Sequence, residues 1–310
     1  MWLSSKCKNY IVLVINIETY LMEQIQNSII SVRAKAAGAE LTSIIKNGIE
    51  YLWQADTNVW GRHAPILFPI VGKLNNNTYR IGADSFHLTQ HGFARDANFT
   101  LVEESAAMLH YQLRYDDATL LKYPYKFELN VRYTISSDVL KVAYEVINLD
   151  NGPIVFAIGG HPAFNCPLLP NEQFEDYQLV FEVEEPIVSR LVDLTTGTIQ
   201  DKRVIIDTVK NAIPITTALF DNDALVLNQL KSKWVGILHR HTGTGVKMSI
   251  DQFPLLGIWA KANTKKFVCL EPWQGLADHT NFEGQFADKE AIVVLNASDS
   301  WKAAYEIQII

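Results

Sequence analysis

Leu140-Lys-Val-Ala-Tyr-Glu-Val-Ile147 decides the fold class. Leu140, Val142, Tyr144 and Val146 alternate with Lys141, Ala143, Glu145 and Ile147. A period of two sends successive side chains to opposite faces, so this reads as a strand with one face buried. Trp301, Ala303, Tyr305 and Ile307 repeat the pattern near the C-terminus. Working outward, shorter strand-like runs recur at 28–33, 49–54, 108–115, 126–135, 153–158, 178–183, 234–239, 245–251, 267–271 and 290–296. Turn signals separate them, among them Asn47-Gly48, Asn151-Gly152 and Thr242-Gly-Thr-Gly245. The best helical stretch is short, Ala118 to Lys122 before Pro124. The expectation is an all-β chain, one large sandwich of antiparallel sheets with a binding groove across one face.

The composition narrows the function classes. A chain of 310 residues, 48% hydrophobic and 20% charged, is an ordinary globular one. A net charge of −7 and the lack of a Lys/Arg cluster argue against nucleic acid as a partner. No apolar run reaches the ~20 residues that span a bilayer, so no membrane partner is expected. Cys7, Cys166 and Cys269 are scattered and odd in number, which suggests free thiols in a reducing, cytoplasmic setting rather than a disulfide frame or a zinc site. Residues 1–21 read as an N-terminal extension and 22–310 as the core domain. Within the extension, Lys6 and Lys8 precede Tyr10-Ile-Val-Leu-Val-Ile15, but no A-x-A-like cleavage site follows before Met22. An added edge strand, or an upstream start with the core beginning near Met22, accounts for it better than a signal peptide.

Three stretches bring chemistry to the ends of strands. In Phe156-Ala-Ile-Gly-Gly-His-Pro162 an apolar run ends in two glycines, which let the backbone bend and a ligand approach. His161 follows at once, and Pro162 stops the strand. Alone, His161 reads equally well as a buried strand-end histidine. His91 in Gln90-His-Gly-Phe-Ala-Arg95 and Glu271 in Cys269-Leu-Glu-Pro-Trp273 share the design, a polar residue at a strand end before a chain-bending Gly or Pro. Trp273 offers either a face on which a sugar ring can stack or a ring that packs in the core. Asp251-Gln-Phe-Pro-Leu-Leu-Gly-Ile-Trp259 supplies a second carboxylate and a second tryptophan. Pro65 and Pro69 make Gly61 to Lys73 an irregular loop with Arg62 and Lys73 at its ends. The Arg62 fork of donors suits hydroxyls or a carboxylate.

Metal and nucleotide motifs are weak. His87 and His91 have i, i+4 spacing, but their surroundings read as strands. His239 and His241 share a strand face and run into the Gly243/Gly245 turn. The Gly-Thr-Gly lacks the third glycine of a dinucleotide loop, and no nucleophile elbow or P-loop occurs. No metal or cofactor is expected.

Taken together, His91-Gly-Phe-Ala-Arg95, Gly160-His-Pro-Ala-Phe-Asn165, Asp251-Gln-Phe-Pro254 and Glu271-Pro-Trp273 resemble the aldose 1-epimerase (galactose mutarotase-like) family, in particular its LacX-like branch of bacterial proteins. The resemblance runs from about Ile25 to the C-terminus. It implies a β-supersandwich and the interconversion of α and β anomers of an aldose. By that resemblance His161 matches the acid that protonates the ring oxygen, and Glu271 the base that takes the C1 hydroxyl proton. His91 and Arg62 match substrate-binding residues, with Lys73, Arg95, Asp251 and Trp273 as further candidates. The galactose mutarotases carry Asn-His before an aromatic-Phe-Asn where this chain has Gly-His-Pro-Ala-Phe-Asn. Asp251 is only a candidate for their hydroxyl-binding aspartate, so the choice of sugar is open. The expected partner is a free aldose, bound by a monomer or homodimer.

The chemistry needs one acid and one base and no cofactor. A carboxylate of pKa ~4.3 and an imidazole of ~6.5 can hold opposite protonation states near neutrality, and a nearby carboxylate favours imidazolium. Two other readings compete. A non-catalytic sugar-binding module would keep the site for hydrogen bonding only. A glycoside hydrolase would use Asp251 and Glu271 as its two carboxylates.

Overall fold

A computed structural model describes residues 22–310. The extension 1–21 lies outside the described residues. The chain folds into two large antiparallel sheets with smaller ones at their margins. Phe127–Ser136 and Val139–Asn148 form the longest hairpin, paired from Phe127↔Asn148 to Ser136↔Val139. Val139–Asn148 then pairs with Ser300–Ile309, so the two alternating stretches lie side by side. Leu140, Val142, Tyr144 and Val146 are buried, and Lys141 is exposed. This nine-stranded sheet is completed by Met108–Arg114 and Thr100–Ser105 at one edge. At the other stand Gly245–Ser249, Trp234–His239, Tyr177–Phe181 and Ala212–Pro214.

The second large sheet has Phe267–Gln274 near its middle. Leu255–Trp259 pairs along one side of that strand, and Ile158–Gly160 and Ala163–Asn165 pair along the other. Beyond Leu255–Trp259 come Leu225–Asn228, Ile187–Val192 and Ile199–Ile206. The sheets meet at Gly160, where a Cβ would stand 2.7 Å from the Tyr305 hydroxyl and 3.0 Å from that of Tyr144. Only glycine leaves room for the tyrosines of the facing sheet. Val268 and Leu270 enter the core between the sheets, while Cys269 and Trp273 pack on the opposite face. One face of the strand therefore holds the fold together and the other is free for a site.

Two local expectations are corrected. The strand at 267–271 does not stop at Glu271 but runs on through Pro272 to Gln274. Leu270 gives its N–H to the Pro162 carbonyl, 3.2 Å away. By the register that pairs Ile158 with Gln274 and Gly159 with Trp273, Pro272 stands opposite Gly160, the last residue of its strand. Its missing N–H therefore falls at the end of that ladder. The run at 153–158 is two strands, Ile154–Phe156 on Val293–Leu295 and Ile158–Gly160 on the main sheet. The short helix is present at Asp117–Leu120, with Asp116 capping the Thr119 N–H at 2.7 Å. No helix among the described residues is long and apolar enough to cross a membrane.

Candidate active site

The period of two in Phe267–Gln274 puts Cys269, Glu271 and Trp273 on the outer face of the second sheet. Gly257 stands opposite Glu271, and Gly159 opposite Trp273. A Cβ at Gly257 would come within 2.4 Å of the Trp273 ring, and one at Gly159 within 2.7 Å. The indole thus lies across two glycines, low enough to form the floor of a cavity of about 270 Å³.

Where the neighbouring strand breaks, His161 turns back over the sheet. Its Nε2 lies 3.2 Å from Glu271 Oε2. Trp60 stacks on the imidazole, 5.0 Å between centroids and 25° between planes. Trp259 and His91 meet it edge-on at 5.8 and 5.6 Å. The ring is therefore walled on three sides. The Trp60 loop is itself tied down by the Trp53 indole N–H, which donates to the Trp60 carbonyl at 2.8 Å.

His91 is held by strain and hydrogen bonds together. Its φ is +68°, rare for a residue with a side chain, and that of Gly92 is +72°. At Gly92 a Cβ would lie 2.2 Å from the Phe68 carbonyl oxygen, so the turn requires glycine. His91 N–H donates to the Gly72 carbonyl at 2.8 Å, and the Gly72 N–H donates back to His91 Nδ1 at 3.1 Å. With Nδ1 an acceptor, the neutral ring carries its proton on Nε2 and is a hydrogen-bond donor from that atom.

Arg62 and Arg95 line the cavity, and both approach the exposed carboxylate of Asp96. Arg62 bonds Asp96 at 2.7 Å, and Arg95 Nε lies 3.7 Å from the same carboxylate. The Arg62 loop is anchored by Glu40, which accepts the His63 and Ala64 N–H groups at 2.8 and 3.2 Å. Burial alone would raise the Glu40 carboxyl, but His63 and Lys35 outweigh it and hold the pKa down at about 2.

Burial governs the central pair. The Glu271 carboxyl is raised well above its ordinary value by desolvation and then by the charge of Asp223. His161 is lowered to about 3 by desolvation, with Arg95 and Arg62 adding to it. His91 is lowered too, first by burial and then by His161 and the arginines. The sequence argument that a carboxylate neighbour favours imidazolium is therefore outweighed by removal of both groups from water. Proton on carboxyl and neutral imidazole is the favoured form of the pair. The buried atoms Glu271 Oε2, His161 Nδ1, Arg95 Nε and Trp273 Nε1 make no well-aligned hydrogen bond in the protein. His161 Nε2 nonetheless approaches Glu271 Oε2, and the Trp273 indole lies close enough to lower the Glu271 carboxyl slightly. That many unspent donors and acceptors around one hollow mark a place for a polar ligand.

Of the residues singled out from sequence, His161, Glu271, His91, Arg62, Arg95 and Trp273 converge on the cavity. Lys73 and Asp251 do not. The Lys73 stem packs beside Gly197, just behind the wall. Asp251 is exposed on a turn and borders a separate hollow of about 130 Å³. The acid that does line the cavity is Asp223, which sequence reasoning missed. Its only signal was the turn-like Asp221-Asn-Asp223. Trp60 was missed as well, a lone aromatic in a loop without periodicity.

An imidazole–carboxylate pair over a small polar cavity, on the outer face of a two-sheet β-supersandwich, defines a galactose mutarotase-like architecture. The chain belongs to the aldose 1-epimerase family, whose model matches residues 23–294. It is similar to Protein LacX of Lactococcus lactis subsp. lactis, 36% identical over 93% of this chain and 99% of that protein. It is also similar to the structure of a galactose mutarotase related enzyme from Lactobacillus acidophilus. That likeness has a TM-score of 0.88 and 30% identity, over 94% of this chain and 97% of the other. A galactose mutarotase-like protein from Lactobacillus casei ATCC 334 matches with a TM-score of 0.87 and 31% identity, covering 93% and 100%.

Proposed function

We propose that this chain is a cofactor-independent aldose 1-epimerase that opens and recloses the ring of a free, neutral aldose. The observation that carries this reading is the 3.2 Å approach of His161 Nε2 to Glu271 Oε2 at the base of the cavity. Ring opening needs a proton removed from O1 and one delivered to O5. Ring closure needs the reverse, a proton given to the carbonyl oxygen and one taken from O5–H. Carboxylate with imidazolium serves opening, and carboxyl with neutral imidazole serves closure. The two forms hold the same number of protons, so the cycle proceeds without exchange with solvent.

The surroundings support a single sugar ring. About 270 Å³ falls just below the ~300–1,000 Å³ of drug-sized sites. Trp273 supplies an apolar floor, His91 Nε2–H and the arginines supply donors, and Asp223 supplies an acceptor for hydroxyls. Arg62 and Arg95 share Asp96, which leaves less positive charge for a phosphate. The free, buried thiols of Cys166 and Cys269 suit a reducing cytoplasm.

Polarimetry of freshly dissolved α-glucose and α-galactose tests the proposal. The protein should speed the approach to the equilibrium rotation of at least one. A sugar that binds by calorimetry without any acceleration would make this a binding module instead.

A further inference from the structure

We propose that His161, Cys269 and Glu271 also form a binding site for a soft divalent cation of the zinc or cadmium class, and that the bound ion shuts off the proton exchange of the first two. One imidazole nitrogen, one thiol sulfur and one carboxylate oxygen from these residues lie within 4.8 Å of one another. Cys269 takes no part in the proton exchange, and nothing in that chemistry requires a thiol there. The sheet places it: Cys269 and Glu271 are two residues apart on one face, and the strand break brings His161 over both.

The distances suit a tetrahedral ion. Zinc bonds of ~2.0–2.1 Å to nitrogen and oxygen give an N···O edge of about 3.3 Å. The observed separation of His161 Nε2 and Glu271 Oε2 is 3.2 Å. A thiolate at ~2.3 Å from the metal would stand about 3.5 Å from its fellow ligands. Closing from 4.8 Å therefore asks for a shift of roughly 1 Å by one side chain. Glu271 Oε2 makes no well-aligned hydrogen bond, and the group it approaches at 3.2 Å, His161 Nε2, would be a fellow ligand. His161 and Glu271 line the cavity and Cys269 is buried beside them, so the ion would enter from the cavity side. Thiolate, imidazole and a single carboxylate favour zinc or cadmium over magnesium or calcium.

The proton balance is explicit. The thiol loses its proton to become a ligand, and the ion takes the place of the proton that His161 and Glu271 share. Each ion bound thus releases two protons, and affinity should rise with pH by up to ~100-fold per unit.

Cadmium titration of the full-length protein tests this, read by the ultraviolet thiolate-to-cadmium charge-transfer band. One equivalent should saturate the band, and EDTA should abolish it. Cys269→Ala, which retains Cys7 and Cys166, should lose the band and weaken binding by more than ~100-fold, beyond what loss of an outer partner costs. Cys269→Ser is the second variant, should the alanine protein fold poorly. His161→Asn should keep the thiol yet weaken binding. No band in the wild type, or a band of unchanged affinity in Cys269→Ala, would overturn the site. The loss of activity on metal binding rests on the mutarotase reading, whereas the absorbance does not. Zinc should stop wild-type mutarotation reversibly and leave that of Cys269→Ala unaffected. A bound ion with undiminished mutarotation would overturn the inhibitory half alone.

Discussion

Two buried pairs of ionisable groups in this molecule have opposite designs. Asp278 and Lys289 form an ion pair in which the obligations are met. Asp278 accepts from Lys289 on one oxygen and from the Asn75 N–H, at 2.8 Å, on the other. The ammonium also lies 5.5 Å from the Phe282 ring centroid. Desolvation lowers Lys289, and Asp278 opposes that shift. His161 and Glu271 are equally buried, yet Glu271 Oε2 and His161 Nδ1 make no well-aligned hydrogen bond in the protein. A satisfied pair fixes the loop behind the cavity wall. An unsatisfied pair stores a desolvation penalty that a ligand's hydroxyls can relieve. Satisfaction of the polar atoms, rather than burial, separates scaffold from site.

The largest effect is expected at the satisfied pair. Asp278→Asn leaves the Lys289 ammonium buried without its counter-charge and should destabilise the fold by about 3–5 kcal/mol. Adding Lys289→Met should recover part of that in urea denaturation, because the double variant has no orphaned charge. Recovery of nothing would mean that Asp278 acts through its backbone-binding oxygen alone.

Glu271→Gln should have the reverse profile. The rate should fall by ~10²-fold or more, the scale of a lost general base, with sugar affinity little changed. Stability should rise instead of falling, because a group whose burial disfavours its charge is replaced by a neutral isostere. About 1 kcal/mol would appear as a Tm increase of roughly 2–4 °C. Wild-type mutarotation persisting in Glu271→Gln would move the base elsewhere and dissolve the contrast between the pairs.

The pH profile of kcat/KM sharpens it further. The competent pair carries one shared proton. On the acid side it is lost when His161 gains a second proton, near its depressed value of about 3. On the alkaline side it is lost when Glu271 ionises without refilling the imidazole, above the ordinary carboxylate range. A bell with its acid limb near 3 is therefore expected, measured over the range in which the protein stays folded. An acid limb at ~4.3 with an alkaline limb at ~6.5 would instead describe two groups unperturbed by burial.

The sequence made the sheet readable because half-buried strands advertise themselves by alternation, as at Leu140 to Val146. It made His161 readable because two glycines and a proline bend the chain there, whereas Glu271 was picked out by a proline that does not bend its strand. It gave no warning that Phe267–Gln274 would pass through Pro272, since that depends on where the adjacent strand Ile158–Gly160 ends. Nor could it reveal the neutral form of the central pair. Burial of His161 follows from Trp60, Trp259 and His91 closing over it, contacts made between distant segments. Asp223 was illegible for the same reason. It reaches the cavity from the turn before Leu225–Asn228, and a turn rich in Asp and Asn reads first as solvent-exposed.

The smallest effects are expected where an acid named from sequence is compared with the acid found in place. Asp251 is exposed, has no side-chain hydrogen bond or ion pair among the described residues, and lies outside the cavity. Asp251→Asn should change stability by no more than ~0.5 kcal/mol and leave mutarotation unaltered. Asp223→Asn should act on two observables at once. Loss of its charge removes the second cause of the raised Glu271 carboxyl, so the alkaline limb should move toward lower pH. Desolvation is the first cause and persists, so the shift should be partial. KM should also rise, by about the tenfold that one net hydrogen bond of ~1.4 kcal/mol represents. If Asp251→Asn raised KM and Asp223→Asn did not, the sugar would have to lie across a different face of the sheet, and the unsatisfied pair would need another explanation.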